Sequence, residues 1–317
     1  MSVAPLSELD AALPGLARKI RVLDALSWPD GVEEVFLTRW RAGQAKLPKI
    51  ELRPRDHSAD IAALEAFIGR CDEDHPAGRH LAMTARSYAT AGHMLGAIGT
   101  PAFTQYSSAL YRHPDFYYSR LKLSMLDAAQ FFLKTTDALL GGTRIPPSPA
   151  EIPAEVFAAW MQPELDRFFG PARITVVLDP TLAAKAIAGA SRIRLRASAL
   201  FSEPDKNQLL QHEAFLHVAT AQNGALQRNL KSLGLGAPRT TQTQEGIATL
   251  AELFTGSMDI NRLRRLALRV LAVQQALDGA DFIQVFEGFL VAGQSQKQPV
   301  RTVNFHLVAV GDNTPVD

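Results

Sequence analysis

Gln211-His212-Glu213-Ala214-Phe215-Leu216-His217, followed 28 positions later by Glu245 in Gln244-Glu245-Gly246, is the stretch around which the chain is organised. Two histidines, with a glutamate next to the first, are the parts of a one-metal hydrolytic centre. In such centres two imidazoles and a later carboxylate hold zinc, and the fourth position is left to a water. Zinc brings the pKa of that water down to about 7, and a neighbouring glutamate takes its proton. On this reading His212, His217 and Glu245 are ligands to a single Zn2+ ion, and Glu213 is the general base.

The spacing makes a demand on the backbone. The common zinc-protease motif, H-E-x-x-H, sets its histidines four apart on one helical face. Here the motif is H-E-x-x-x-H, and an ideal α-helix would point the two rings about 140° away from each other. A wide, π-type turn between Glu213 and His217 restores a shared face, and such bulges cluster at functional sites. The plain alternative is a helix that carries two histidines and a glutamate with no chemistry. Context argues against it. Ser202-Glu203-Pro204-Asp205 is a helix start, with a cap, a proline in the first turn and acids at the positive end of the dipole. Upstream, Ser191-Arg192-Ile193-Arg194-Leu195-Arg196 alternates as a half-buried strand. A strand beside a zinc-bearing helix is how zinc peptidases hold an extended substrate, which adds to the sheet edge.

Together with Ser232-Leu-Gly-Leu-Gly-Ala-Pro-Arg239 and the pentad Gln244-Glu245-Gly246-Ile247-Ala248, these residues resemble the QEGLA-motif proteins. That family includes the eukaryotic tyrosine/methionine carboxypeptidases, which remove a C-terminal tyrosine from tubulin. The likeness runs roughly from Leu16 to Gln294. It implies zinc held by the two histidines and the downstream glutamate, with the glutamate after the first histidine catalytic. The expected architecture is α+β: a mainly helical, zincin-like metallopeptidase with a small β-sheet beside the metal-bearing helix. The expected activity is a zinc-dependent carboxypeptidase acting on a peptide or protein C-terminus. A non-catalytic zinc-binding regulatory protein derived from a metallopeptidase is the alternative, and four protein ligands in place of three would favour it. A di-iron carboxylate site would want paired Glu-x-x-His motifs on two helices, and only one helix here carries a Glu/His set.

The remainder of the chain sets bounds. Its 317 residues are 47% hydrophobic and 21% charged with net charge +1, the profile of an ordinary globular protein without a nucleic-acid footprint. One cysteine, Cys71, excludes an internal disulfide and fits a reducing cytosol. The N-terminus lacks the pattern of a signal peptide, and no apolar run reaches the roughly 20 residues that span a bilayer. The expectation is a cytoplasmic protein with no nucleic-acid or membrane partner; oligomeric state is not encoded legibly.

Gly141 to Pro153, with four prolines and two glycines, is the clearest boundary. It suggests a helical N-terminal region 1–141, a linker 142–155 and a catalytic region 156–317. Helices are expected over 7–27 (kinked or restarted at Pro14), 32–44, from about Asp60, 82–98, 121–140, 154–169 and 261–278, the last with a solvated basic face. Leu47–Pro54 reads as a short strand or extended linker, and Arg173–Leu178 as a strand. Cys71-Asp-Glu-Asp-His75, with His80 nearby, reads as a solvated loop. Thr241-x-x-Gln244 resembles a capping box, which would place Glu245 in the first turn of a helix reaching about Thr255. Glu252, seven residues on, shares the face of Glu245 and is the fallback third ligand. For a substrate carboxylate the candidates are Arg194 and Arg196 on the strand and Arg239 before the third ligand, and His113, in the aromatic loop Tyr111–Tyr118, is a candidate wall of the substrate pocket. After about Val300 the chain departs from the family pattern, and a truncated tail is the expectation there.

Overall fold

The computed structural model describes residues 5–291 except 30, 142–144, 147 and 183. The expected atypical C-terminus and part of the proline-rich linker therefore lie outside the described residues. In order, the elements are α1 (Leu6–Ala17), α2 (Val22–Leu26), α3 (Val32–Arg41), α4 (Ser58–Ile68), α5 (Pro76–Gly96) and α6 (Pro101–Tyr111). A hairpin of β1 (Tyr117–Tyr118) and β2 (Leu123–Ser124) leads into α7 (Met125–Leu140). Then come β3 (Ile152–Pro153), α8 (Ala154–Phe169), β4 (Thr175–Asp179), β5 (Ala186–Ala188), β6 (Arg192–Arg196) and β7 (Leu200–Phe201). A helical run follows: α9 (Glu203–Leu209), a π-helix (Leu210–Val218) and α10 (Ala219–Ala225). A 3-10 turn (Lys231–Gly234), α11 (Pro238–Phe254), α12 (Ile260–Leu277) and α13 (Phe282–Val291) complete the chain. The architecture is mainly helical with small sheets, and no described helix is long and apolar enough to cross a membrane.

The chain divides into two compact units. The first gathers the described residues of Met1–Ala17, Ala66–Ala85 and Pro146–Asp259; the second gathers those of Arg18–Glu65, Arg86–Ile145 and Ile260–Asp317.

In the first unit the core is built on a three-stranded sheet of order β4-β6-β5, in which β6 runs parallel to β4 and antiparallel to β5. Alternation along β6 works as its sequence dictates: Ile193 and Leu195 are fully buried, and the arginines between them stay at least partly exposed. Phe157, Met161 and Leu165 of α8 recur at helical spacing and pack into the same core as Phe201, Leu210, Ala214 and Val218. Each sheet edge is met by a side chain from a helix. Gln162 of α8 donates to the carbonyl of Ile174 (2.9 Å) and accepts from the amide of Val176 (2.8 Å) along β4. Glu213 accepts from the amide of Ala188 on β5. The short strand β5 had no signal in the sequence; it makes β6 the central strand, not the free edge that a substrate backbone would extend.

α1 passes through Pro14 without breaking, because Leu9 and Leu13 are fully buried and hold the helix in place; the chain leaves the helix only after Ala17. Its buried Asp10 accepts from the backbone amides of Lys231 and Ser232, both at 2.8 Å, and so caps the 3-10 turn. That turn lies against α10 at two glycines. A Cβ on Gly224 would come within 2.3 Å of the Gly234 nitrogen, and one on Gly234 within 2.6 Å of the Ala221 carbonyl.

The second unit is organised around aromatic packing. Phe36 of α3 meets Phe282 and Phe286 of α13 edge-on at 4.8 and 5.0 Å, and Trp28, Leu268 and Phe289 close the cluster. α7 begins at Met125, not near Leu121, because β2 carries the chain as far as Ser124. Ser124 then caps the helix by accepting from the Asp127 amide at 3.0 Å. No strand forms over Leu47–Pro54. On α12 the basic face is not simply solvated: Arg264, largely buried, bonds the carboxylate of Asp137 and the hydroxyl of Thr136.

Candidate metal centre

α9, the π-helix and α10 form one continuous run. It starts at Ser202, whose amide donates to the Asp205 carboxylate at 2.9 Å, and Asp205 also pairs with Lys185. The apolar positions Leu210, Ala214 and Val218 are buried in the sheet core. The wider i to i+5 turn leaves His212 and His217 side by side, with ring centroids 4.8 Å apart and planes at 73°. The local unwinding required by the five-residue spacing is present, and it extends over nine residues.

α11 brings the third group. It begins at Pro238, with the Thr240 hydroxyl accepting from the Ala237 amide at 3.2 Å. Glu245 therefore sits in the third turn of the helix. This corrects the first-turn placement suggested by the Thr241-x-x-Gln244 pattern, and the dipole at the helix start has no part in holding this carboxylate. The Glu245 oxygens lie 3.4 Å from Nε2 of His212 and 3.4 Å from Nε2 of His217. One donor atom from each of the three residues falls within a 4.8 Å span. The set suits zinc: two imidazole nitrogens and a carboxylate oxygen, with histidine–glutamate separations close to the roughly 3.4 Å edge expected of a tetrahedron with 2.1 Å bonds. His212 is buried and His217 nearly so, whereas the Glu245 side chain is 56% exposed.

Glu252 is the residue whose role the sequence left open. It is fully buried, and it does not join the three donors. Its carboxylate meets the other nitrogen of His212, Nδ1, at 2.6 Å, and accepts from Nε2 of Gln208 at 2.9 Å.

Electrostatics separate the two histidines. Burial pulls the pKa of His212 down, but the hydrogen bonds to Glu245 and Glu252 and the charge of Glu213 outweigh it and bring the value up to about 9. His217 is shifted the other way. Burial lowers it, and neighbouring His212 adds to that, against the opposing pull of Glu245 and a hydrogen bond with Gln244. Glu213 projects toward β5, where its Oε2 accepts from the Ala188 amide at 2.9 Å.

Of the arginine candidates, Arg194 and Arg239 have side-chain partners of their own. Arg194 pairs with Asp179 on β4 at 3.3 Å. Arg196 stands in register with the same aspartate, and its amide donates to the Lys185 carbonyl. Arg239 donates from Nε to Thr84 (3.2 Å), and its Nη2 lies 2.9 Å from Nδ1 of His80. His80 is held below the usual histidine range by burial and by the charge of Arg239. These three belong to the unit that carries His212, His217 and Glu245; His113 belongs to the other, 3.9 Å from Asp115. Nothing in the sequence marked Gln208, Asp10 or the Ala188 amide as parts of this arrangement. Glu252 was traceable only through its seven-residue spacing from Glu245.

Neither the curated proteins nor the solved structures contain a match to the chain. The family model described as microtubule-associated tyrosine carboxypeptidase does match, over residues 35–303, and the chain belongs to that family, with a carboxypeptidase-related function.

Proposed function

We propose that this chain is a zinc-dependent, zincin-like metallohydrolase of carboxypeptidase type, cleaving the C-terminal residue from a peptide or protein. The observation that carries the reading is the convergence of His212, His217 and Glu245 within 4.8 Å, next to Glu213, in a member of a tyrosine carboxypeptidase family. A helix with histidines five apart has no packing reason to bring their Nε2 atoms to one carboxylate; a shared cation gives one. The small sheet ending in the antiparallel edge strand β5, beside the histidine-bearing helix, supports the zincin-like assignment.

His212, His217 and Glu245 would hold the ion. Zinc bound there supplies Lewis acidity, polarising the scissile carbonyl and bringing the pKa of water to about 7. Glu213 takes the proton of the attacking water and returns it to the leaving amine. Its bond to the Ala188 amide fixes one carboxylate oxygen against the sheet and orients the group before substrate arrives. Glu245 reaches the cluster from the solvent side, which leaves an approach for a substrate terminus. Arg194, Arg196 and Arg239 are the cations on the same unit from which a receptor for the substrate's free carboxylate would be drawn.

Metal content of the purified chain, together with release of a C-terminal tyrosine from a peptide, tests the proposal. Near-stoichiometric zinc, lost in His212→Ala, His217→Ala and Glu245→Ala and kept in a Glu213→Gln variant that no longer releases tyrosine, is the expected result. A folded protein that takes up no zinc on reconstitution would overturn it.

A further inference from the structure

Behind His212 lies a buried chain of side chains that the hydrolytic scheme does not use. Gln208 precedes His212 by one helical turn and is itself buried. Its amide nitrogen donates to Oε1 of Glu252, and the same oxygen meets Nδ1 of His212 at 2.6 Å. Glu252 is fully buried, and a carboxylate removed from water is retained only where hydrogen bonds hold it. The opposite nitrogen of the ring, Nε2, is the one facing Glu245.

An imidazole presents a lone pair on one nitrogen only when the proton sits on the other. A carboxylate acceptor at Nδ1 therefore selects the tautomer with Nε2 open. We infer that Glu252, held in place by Gln208, is a positioning residue that fixes the ring orientation and tautomer of His212 for the metal. It is not an alternative ligand. The inference rests on the zinc-site reading above. It also explains why α11 buries a carboxylate one residue before its exposed end, at Leu253 and Phe254.

The test is zinc affinity, measured by competition with a chromophoric chelator, with the imidazole 15N spectrum of the zinc-loaded protein as a second readout. Glu252→Gln is expected to weaken zinc binding by about 10- to 100-fold and to shift the Nδ1–H signal of His212, while His217→Ala loses the metal. Gln208→Leu is expected to shift affinity in the same direction by a smaller factor. Folded Glu252→Gln that binds zinc within twofold of the parent, with an unchanged His212 spectrum, overturns the positioning role. If Glu252→Gln does not fold, Gln208→Leu decides, and an affinity within twofold of the parent again overturns it. A parent chain that takes up no zinc, and is indifferent to His217→Ala, instead overturns the metal reading and this role with it.

Discussion

Glu245 and Glu252, seven residues apart on α11, address opposite nitrogens of a single imidazole: Glu245 faces Nε2 of His212 at 3.4 Å and Glu252 meets Nδ1 at 2.6 Å. Seven residues are close to two turns of an α-helix, so one face presents both groups. The two carboxylates differ in burial as they differ in role, one half-exposed beside the ligand cluster and the other sealed behind it.

On the zinc-site reading, the raised pKa of His212, about 9, would tie metal binding to proton release. At pH 7 the ring carries a proton that zinc must displace. Titration calorimetry in buffers of different ionisation enthalpy is expected to show close to one proton released per zinc. A binding heat at pH 7 that is independent of the buffer would contradict it.

The same shifts predict how stability depends on pH in the presence of a chelator. The folded state holds the His212 proton between the unfolded value near 6.5 and about 9, so the stabilisation is complete below 6.5 and is lost as pH rises through about 9. Its size is on the order of 3 kcal/mol. His217 is shifted downward, so its contribution is present above 6.5 and is lost as pH falls below it. Urea unfolding across pH 5–10 is expected to show these two groups favouring a maximum near 6.5, and Glu252→Gln should flatten the alkaline limb.

Glu213→Gln is expected to keep zinc and lower kcat by at least about 100-fold. Ala188→Pro separates the proton-transfer group from its support. The Ala188 amide points to Glu213 and not into the β5–β6 ladder, and proline is tolerated on an edge strand. Zinc content is expected to stay at the parent level while kcat falls. Unchanged kcat in a folded Ala188→Pro protein would show that the bond to β5 does not prepare Glu213.

Gly224→Ala places a methyl group within 2.4 Å of two backbone atoms of the 3-10 turn, where no flexible side chain is present to give way. A loss of about 2–3 kcal/mol is expected from the forced shift. Because α10 continues the helix that carries both histidines, zinc affinity should fall with stability. Asp10→Ala, which strips the partners from the Lys231 and Ser232 amides, is expected to cost about 2 kcal/mol without altering metal stoichiometry. Chemical denaturation with parallel metal analysis checks both.

How much of this was readable in advance follows the physics of each feature. The convergence of His212, His217 and Glu245 was legible because chemistry confines metal donors to a few residue types at restricted spacings, and the five-residue interval between histidines could be met on one helix only by a π-type turn. α8 and the alternation of β6 were legible because their apolar positions recur with the period of the element. What escaped depends on contacts distant in sequence. β5 is only three residues, Ala186-Ile187-Ala188, and only pairing with β6 makes it a strand. Asp10 caps a turn 221 residues away, which no local pattern encodes. The start of α11 was misplaced because Thr241-x-x-Gln244 mimics a cap, whereas Pro238 and Thr240 set the true beginning.

The uneven exposure of the three donors has a practical consequence. His212 and His217 are set on a helix locked into the core, while Glu245 approaches from solvent on a side chain 56% exposed. A cation held this way can be exchanged by rotating one carboxylate aside, with no unfolding of the scaffold. Dialysis against a chelator, followed by cobalt, should therefore load the centre under native conditions and turn a colourless site into one whose ligand field is visible by eye.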